Sequence, residues 1–260
     1  MPVVPATIGH QHVVASGHEL ATFAAFEILE NGGNAVDAGV AAILSLGVLY
    51  SDQVSVAGVA PMMIHDAASA QTVTVDGVGG WPAALDVDGY IERHGGEIPL
   101  GVRRTVVPAA PSACLTALER WGTMRFSDVA ARAAGYASEG FARHPVMVDY
   151  ITQFADRYRH FPDNVSIWLA DGAPPAVGSL LIQADLGRTL HYLIDQDRAA
   201  GDRSAGLEAV RDAFYEGDIA SAILRQHREL DGILSAQDLR DYQARVLPTV
   251  ARTFRFNGED

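Results

Sequence analysis

Two things are scarce in this sequence: cysteine and positive charge. The only cysteine is Cys114, so no internal disulfide can form. It lies in an alanine-rich stretch and reads as a small buried hydrophobe. Nineteen basic residues stand against 32 acidic ones, giving a formal net charge of −13. Phosphate binding needs clustered cations, so nucleic acid and anionic membrane surfaces are poor partners. Long apolar runs are missing too. The uncharged stretch from Ala38 to Leu49 is too short to span a bilayer. The opening MPVVPATIGH has no basic segment followed by an apolar run, so no secretory signal is read and a cytoplasmic location is expected. No repeat, low-complexity tract or linker interrupts the 260 residues. One domain over 1–260 is therefore expected, mostly helical over 108–245.

What is present is ordinary globular material, 48% hydrophobic and 20% charged, with enough apolar content for a core. The stretch VVASGHELATFAAFEILENGGNAVDAGVAAILSLGVL, Val13 to Leu49, organises the rest. Val13 to Ala15 read as a strand end. Ser16 stands three residues before Glu19, a capping-box spacing. Leu20, Phe23, Ala24 and Ile28 recur at helical intervals, and Asn31, Gly32 and Gly33 end that helix. Asn34 is placed to cap a second helix, with Asp37 near its positive end. The small residues from Ala38 to Leu49 predict a helix buried on nearly all sides.

Further on, Met62 to His65 and Gln71 to Val75 read as paired strands, followed by the glycine-rich loop Asp76 to Pro82. Residues 83–107 show little periodicity, and His94-Gly95-Gly96 suggests a surface loop. Helices are predicted near 110–121, 127–138, 145–159, 184–199, 206–214 and 217–229. Ser127 and Asp128 start one, and Pro145 suits the first turn of another. Ser235 with Asp238 starts a short helix, with Leu234 and Leu239 as a hydrophobic staple. Val246 to Phe256 has strand character, and an ending on FNGED directly after it reads as a cut chain.

Isolated chemistry is weak. His10 and His12 have the spacing of two zinc ligands on one strand face, but the other histidines are scattered, so no metal site is expected. Pro2 would offer an N-terminal amine base if Met1 were removed, with nothing else to support that role. Asp185, Asp195 and Asp197 have no partner that marks them as catalytic. The glycines from Gly77 to Gly80 precede no clear helix start, so a phosphate cradle is not read there.

Three segments resemble the γ-glutamyltranspeptidase family. The first is the organising stretch with its GGNAVDA word. The second is PAAPSACLTALERWGTMRFSDVAARAAGYASEGF, residues 108–141. The third is the series ADLGRTLHYL, DAFYEGDIASAI and DGILSAQDLRDYQARVLPTV. Order and spacing agree over residues 12–250. The resemblance implies an α/β (α+β) fold, the αββα sandwich of the N-terminal-nucleophile hydrolases, completed by a second, small chain. Such proteins are made as a precursor that cleaves itself. The threonine freed at the new N-terminus is the nucleophile, and its α-amine takes the hydroxyl proton. This sequence resembles only the earlier part of the large subunit, and no segment matches the surroundings of that threonine. No catalytic residue is therefore assigned here, and no cofactor is expected. The expected partners are the small (β) chain and a small amide or amino-acid-derived substrate, within a dimer of heterodimers.

Two departures from the family bear on substrate. Where the family has an arginine that binds the α-carboxylate of the glutamyl group, this chain has Val78, which cannot pair with a carboxylate. Val78, Gly79 and Trp81 are read as substrate-facing. Arg103, or Arg104, is the candidate replacement for the missing charge. The second departure is SVAGVAPMM, residues 55–63, where Val56, Val59 and Pro61 replace a freer glycine-rich run and reshape the pocket floor. The function expected from the resemblance is the large chain of an amidohydrolase or acylase acting on something other than a γ-glutamyl compound. Carbon–carbon bond cleavage in a natural-product pathway, a non-catalytic scaffold, and a metal hydrolase using His10 and His12 are the alternatives.

Overall fold

The computed structural model describes residues 8–250. In chain order the helices and strands are α1 (Glu19–Glu30), α2 (Ala35–Leu49), β1 (Met62–Asp66), β2 (Gln71–Asp76), α3 (Val87–His94), α4 (Ala110–Trp121) and α5 (Phe126–Glu139). Then follow β3 (Phe141–Ala142), α6 (Pro145–Gln153), α7 (Ala155–Arg159), α8 (Pro162–Trp168), β4 (Leu180–Leu181) and α9 (Ala184–Ala199). The series closes with α10 (Arg203–Tyr215), α11 (Asp218–Glu229), α12 (Ala236–Asp241) and β5 (Arg245–Pro248). The mixture of helix and sheet agrees with the expected class. Among the described residues the sheets are one antiparallel trio in the order β1-β2-β5 and the two-stranded β3-β4 pair. The second layer of the expected sandwich is not among them. No described helix is long and apolar enough to cross a membrane.

The core lies where α2 meets α1, α4 and α5, and where α5 meets α9 and α9 meets α10. Small side chains allow this. Ala21, Ala24 and Ala25 on α1, Ala38 and Ala41 on α2, and Ala130, Ala133, Ala134 and Ala137 on α5 are all buried, so the helices pack closely. The predicted α1 stripe needs one correction. Phe23 is exposed, with the Arg132 guanidinium over its ring, while Ala24 and Ile28 are buried and Leu20 packs against the core.

Local signals explain many of the helix ends, and some of the predicted ones are corrected. Asn34 and Asp37 form a capping box on α2, and Ser235 and Asp238 form one on α12. Leu234 and Leu239 are both buried, as a staple requires. Val13 to Ala15 form no strand, and Ser16 is not the cap of α1. The cap is His18, whose Nδ1 accepts from the Leu20 N–H at 3.1 Å, while Ser16 Oγ donates to the His18 carbonyl. The single helix predicted over 145–159 breaks at Phe154 into α6 and α7. α3 was not predicted, because it buries no residue and so carries no core-facing stripe. α8 was also missed; it is only seven residues long and begins on Pro162. Pro2 and the strand expected beyond Val250 lie outside the described residues.

His144 caps α6 as His18 caps α1. Its Nδ1 accepts from the Met147 N–H at 3.2 Å. The two rings are 5.3 Å apart, and Tyr50 stacks on His144. Each imidazole must be neutral at Nδ1 to cap its helix. Burial pushes the His18 pKa below its ordinary value, Glu19 opposes this, and His144 adds to it. Burial lowers His227 in the same direction. A folded-state pKa below the unfolded value gives stability that is complete above the unfolded pKa, near 6.5, and lost as pH falls through the folded one. Urea midpoints are therefore expected to fall between pH 7.5 and pH 5. His18→Asn, which caps without titrating, should make that fall shallower. An unchanged pH slope in this variant would refute the role.

Candidate functional site

The family words build a frame around one loop. In the first word, Gly32 has φ +90°, a conformation that favours glycine, and turns the chain from α1 into α2. Asn34 Nδ2 donates to the Trp121 carbonyl at 2.6 Å. Asp37 is fully buried. Its carboxylate accepts from the Asn34 N–H at 2.9 Å, from the Thr123 N–H at 2.9 Å, from the Thr123 hydroxyl at 2.7 Å and from the Met124 N–H at 3.2 Å. This word ties the α1–α2 turn to the α4–α5 turn.

The second and third words meet at Tyr215, on the last turn of α10. Its hydroxyl donates to the Pro108 carbonyl at 2.8 Å and accepts from the Ser112 N–H at 3.0 Å. Burial pushes the Tyr215 hydroxyl well above its ordinary pKa, so it stays a donor. Ser112 Oγ in turn accepts from the Ala244 N–H at 2.9 Å and from Arg211 at 3.1 Å. Tyr215→Phe leaves two buried backbone groups unpaired. It should cost about 1–3 kcal/mol in urea unfolding, and a change under about 0.5 kcal/mol would refute the tie.

The start of α4 so held is the wall against which the loop Asp76–Pro82 is laced. The Gly58 carbonyl accepts from the N–H groups of Ala109 and Ala110 at 2.9 and 2.8 Å, pairing donors that a helix start leaves without an acceptor. The Ala60 N–H donates to the Gly77 carbonyl, and the Val107 N–H to the Gly80 carbonyl, both at 2.8 Å. Gly79 has φ +78°, and a Cβ there would collide with the Val107 carbonyl. Only glycine fits this close approach. The departure at residues 55–63 is therefore part of the site's frame. Val54, Val56 and Ala57 also line an apolar groove of about 320 Å³ with Gly47, Trp168 and Phe214.

At the loop's root, Arg245 Nη2 donates to Asp76 Oδ2 at 2.8 Å and holds that carboxyl below its usual pKa. Val78 and Trp81 are exposed, at 53% and 45%. The Trp81 ring lies 6.4 Å from that of Tyr90 on α3. Tyr90 OH donates to the Arg103 carbonyl at 3.1 Å, so α3 links the Trp81 ring to the Arg103 backbone along one exposed rim, with Val78 and Gly79 on the same loop as Trp81. The Arg103 guanidinium is ion-paired with Asp231. Arg104 donates to the carbonyls of Pro99 and Ile98 at 2.9 and 3.0 Å. No sequence pattern points to Tyr90, because its helix has no core-facing stripe. Asp238 was read only as a cap, yet its Oδ1 also accepts from the Ala83 N–H at 2.8 Å and pins the far end of the loop.

The other candidates stand apart from this rim or do structural work. His12 Nε2 is 3.1 Å from Glu30 Oε1, and among the described residues no group of three or more His, Cys, Asp or Glu is arranged to hold a metal. Asp197 is buried and accepts from the Ser127 N–H at 2.9 Å and from Arg125 Nε at 3.2 Å, which is a helix-joining role. Cys114 is buried, and that burial pushes its thiol up to about 12, far from a nucleophile's range.

Comparison with known proteins bears on the chain as a whole. The family model for gamma-glutamyltranspeptidase matches residues 21–259. The glutathione hydrolase proenzyme of Bacillus subtilis is 27% identical over 244 residues, 92% of this chain and 39% of that protein. The acylase ACY 1 proenzyme of a Pseudomonas species is 27% identical over 261 residues, 96% of this chain and 44% of that one. The solved gamma-glutamyltranspeptidase of Helicobacter pylori superposes with a TM-score of 0.86 at 22% identity, over 96% of this chain and 69% of that chain. This chain thus spans well under half the length of these two proenzymes.

Proposed function

The chain belongs to the gamma-glutamyltranspeptidase family, and from that premise we propose that it is the large chain of an N-terminal-nucleophile amidohydrolase or acylase whose substrate is not a γ-glutamyl compound. The observation that carries this reading is the match itself. It runs through residues 21–259 yet reaches only 39% of the length of the Bacillus subtilis proenzyme. The remaining length leaves room for a small chain that opens on the nucleophile. On this reading the nucleophile's oxygen or sulfur attacks the substrate carbonyl, and its own α-amine takes the proton. The carbon–nitrogen bond breaks, the amine departs with that proton, and water hydrolyses the acyl-enzyme. Residues of the present chain act as frame and rim. Val78, Gly79, Trp81 and Arg103 border the acyl group, and Val78 offers no charge to a glutamyl carboxylate. The test is turnover of acyl p-nitroanilides by this chain alone and by the chain produced with its downstream coding sequence. Activity is expected only in the second case. Equal activity in both would overturn the reading.

A further inference from the structure

We propose that Val78, Trp81 and Tyr90 form a subsite for an uncharged, planar apolar acyl group stacked on the open face of Trp81. This rests on the acyl-transfer reading above and names the class of acyl group that site takes.

The charges come first. Three arginines are tied to this segment, and each already holds oxygen. Arg103 is paired with Asp231, Arg245 with Asp76, and Arg104 with the carbonyls of Ile98 and Pro99. Asp86 and Asp88 are exposed on the same stretch. Arg93 on α3 is the remaining cation there, and it is exposed to water, where a single charge binds a carboxylate weakly. A carboxylate brought to Val78 would find the guanidiniums of Arg103, Arg104 and Arg245 already engaged, with Asp76 two residues away along the chain.

Apolar surface is plentiful by contrast. Val78, Trp81, Val87 and Ile91 are all about half exposed within fourteen residues of chain. The Trp81 ring, half in water, lies 6.4 Å from that of Tyr90, and neighbouring aromatic faces open to solvent suit a planar ligand. The surface is also held in place before any ligand arrives. Gly79 is locked by its φ and its backbone neighbours, Ala83 is fixed by Asp238, and Tyr90 is fixed by its hydroxyl on Arg103 and by the His94 ring at 4.7 Å. Pre-set aromatic faces bind planar groups with little ordering cost. Arg103 enters as a positioning residue, holding Tyr90 through its carbonyl while Asp231 neutralises its side chain.

The experiment uses the chain produced together with its small chain. Binding of phenylacetamide is followed by tryptophan fluorescence: Trp81 is exposed, Trp121 half-buried and Trp168 buried, and the Trp81→Ala variant assigns the response. Turnover is followed with phenylacetyl p-nitroanilide and γ-glutamyl p-nitroanilide. The wild-type protein is expected to favour the phenylacetyl compound at least tenfold in kcat/KM. Trp81→Ala should abolish the fluorescence response and lower that preference at least tenfold, mostly through KM, and Tyr90→Ala should lower it several-fold. Val78→Arg should move the preference toward the γ-glutamyl compound. Wild-type preference for the γ-glutamyl compound, or an unchanged ratio and unchanged phenylacetamide binding in Trp81→Ala, overturns the subsite. If phenylacetamide binds in a Trp81-dependent way but neither anilide is cleaved, the subsite stands and the acyl-transfer reading fails.

Discussion

Asp37→Ala is expected to destabilise the protein by about 4 kcal/mol, and to lower its melting temperature by roughly 10 °C. The Asp37 carboxylate is fully buried and accepts from four donors, contributed by Asn34, Thr123 and Met124. Each stranded buried donor costs about 1–3 kcal/mol. The sum is not reached, because Thr123 lies at the surface and water can re-pair its groups. Asp37→Asn keeps the shape but loses the charge and one acceptor, so about half the loss is expected. Asn34→Ala should weaken the same junction, since its side chain both caps α2 and holds the Trp121 carbonyl. Urea unfolding of the three variants is the check. If Asp37→Ala changes stability by less than about 1 kcal/mol, the buried junction is not what makes this word necessary.

The second large effect belongs to Asp197. Its carboxylate, on α9, caps the start of α5 through the Ser127 N–H and pairs with Arg125. Arg125 also donates to the Asp197 carbonyl, so one aspartate joins two helices through both its side chain and its backbone. Removing one member of a buried pair typically costs about 3–5 kcal/mol. Arg125 is only partly buried and can turn to water, so Asp197→Ala is expected near 3 kcal/mol, at the lower end. The double variant Arg125→Ala with Asp197→Ala should cost less than the two single losses added together, which a double-mutant cycle in urea measures. Strict additivity would mean that the pair does not act as a unit.

Which parts of this were legible in the sequence follows from the range of the interaction. Asn34 and Ser235 were read as caps, because a cap and its donors lie within three residues of each other. The α2 helix was legible from its run of small apolar residues. Asp37 was read as a local helix-end charge, and its partner Thr123 lies 86 residues away, beyond any local pattern. Tyr215 is of the same kind, with partners more than a hundred residues distant. His18 was missed as a cap because an imidazole takes that place less often than the serine two residues earlier. In the site, the glycine-rich loop was legible, and Val78 stood out only against the family resemblance. Its lacing to Ala60 and Val107 was not, since backbone hydrogen bonds leave little mark on side-chain identity. Tyr90 stayed hidden because α3 faces the rim and no core, so periodicity had nothing to report.

The central claim is that these residues supply the frame and rim of an active centre while the attacking group comes from a second chain. Intact-mass spectrometry with N-terminal sequencing, on the protein made from its whole coding region, tests this most directly. The account expects two chains, the smaller opening on threonine, serine or cysteine, with amide turnover lost when that residue is replaced. A single uncleaved chain, or residues 1–260 turning over an amide alone and pure, would contradict it.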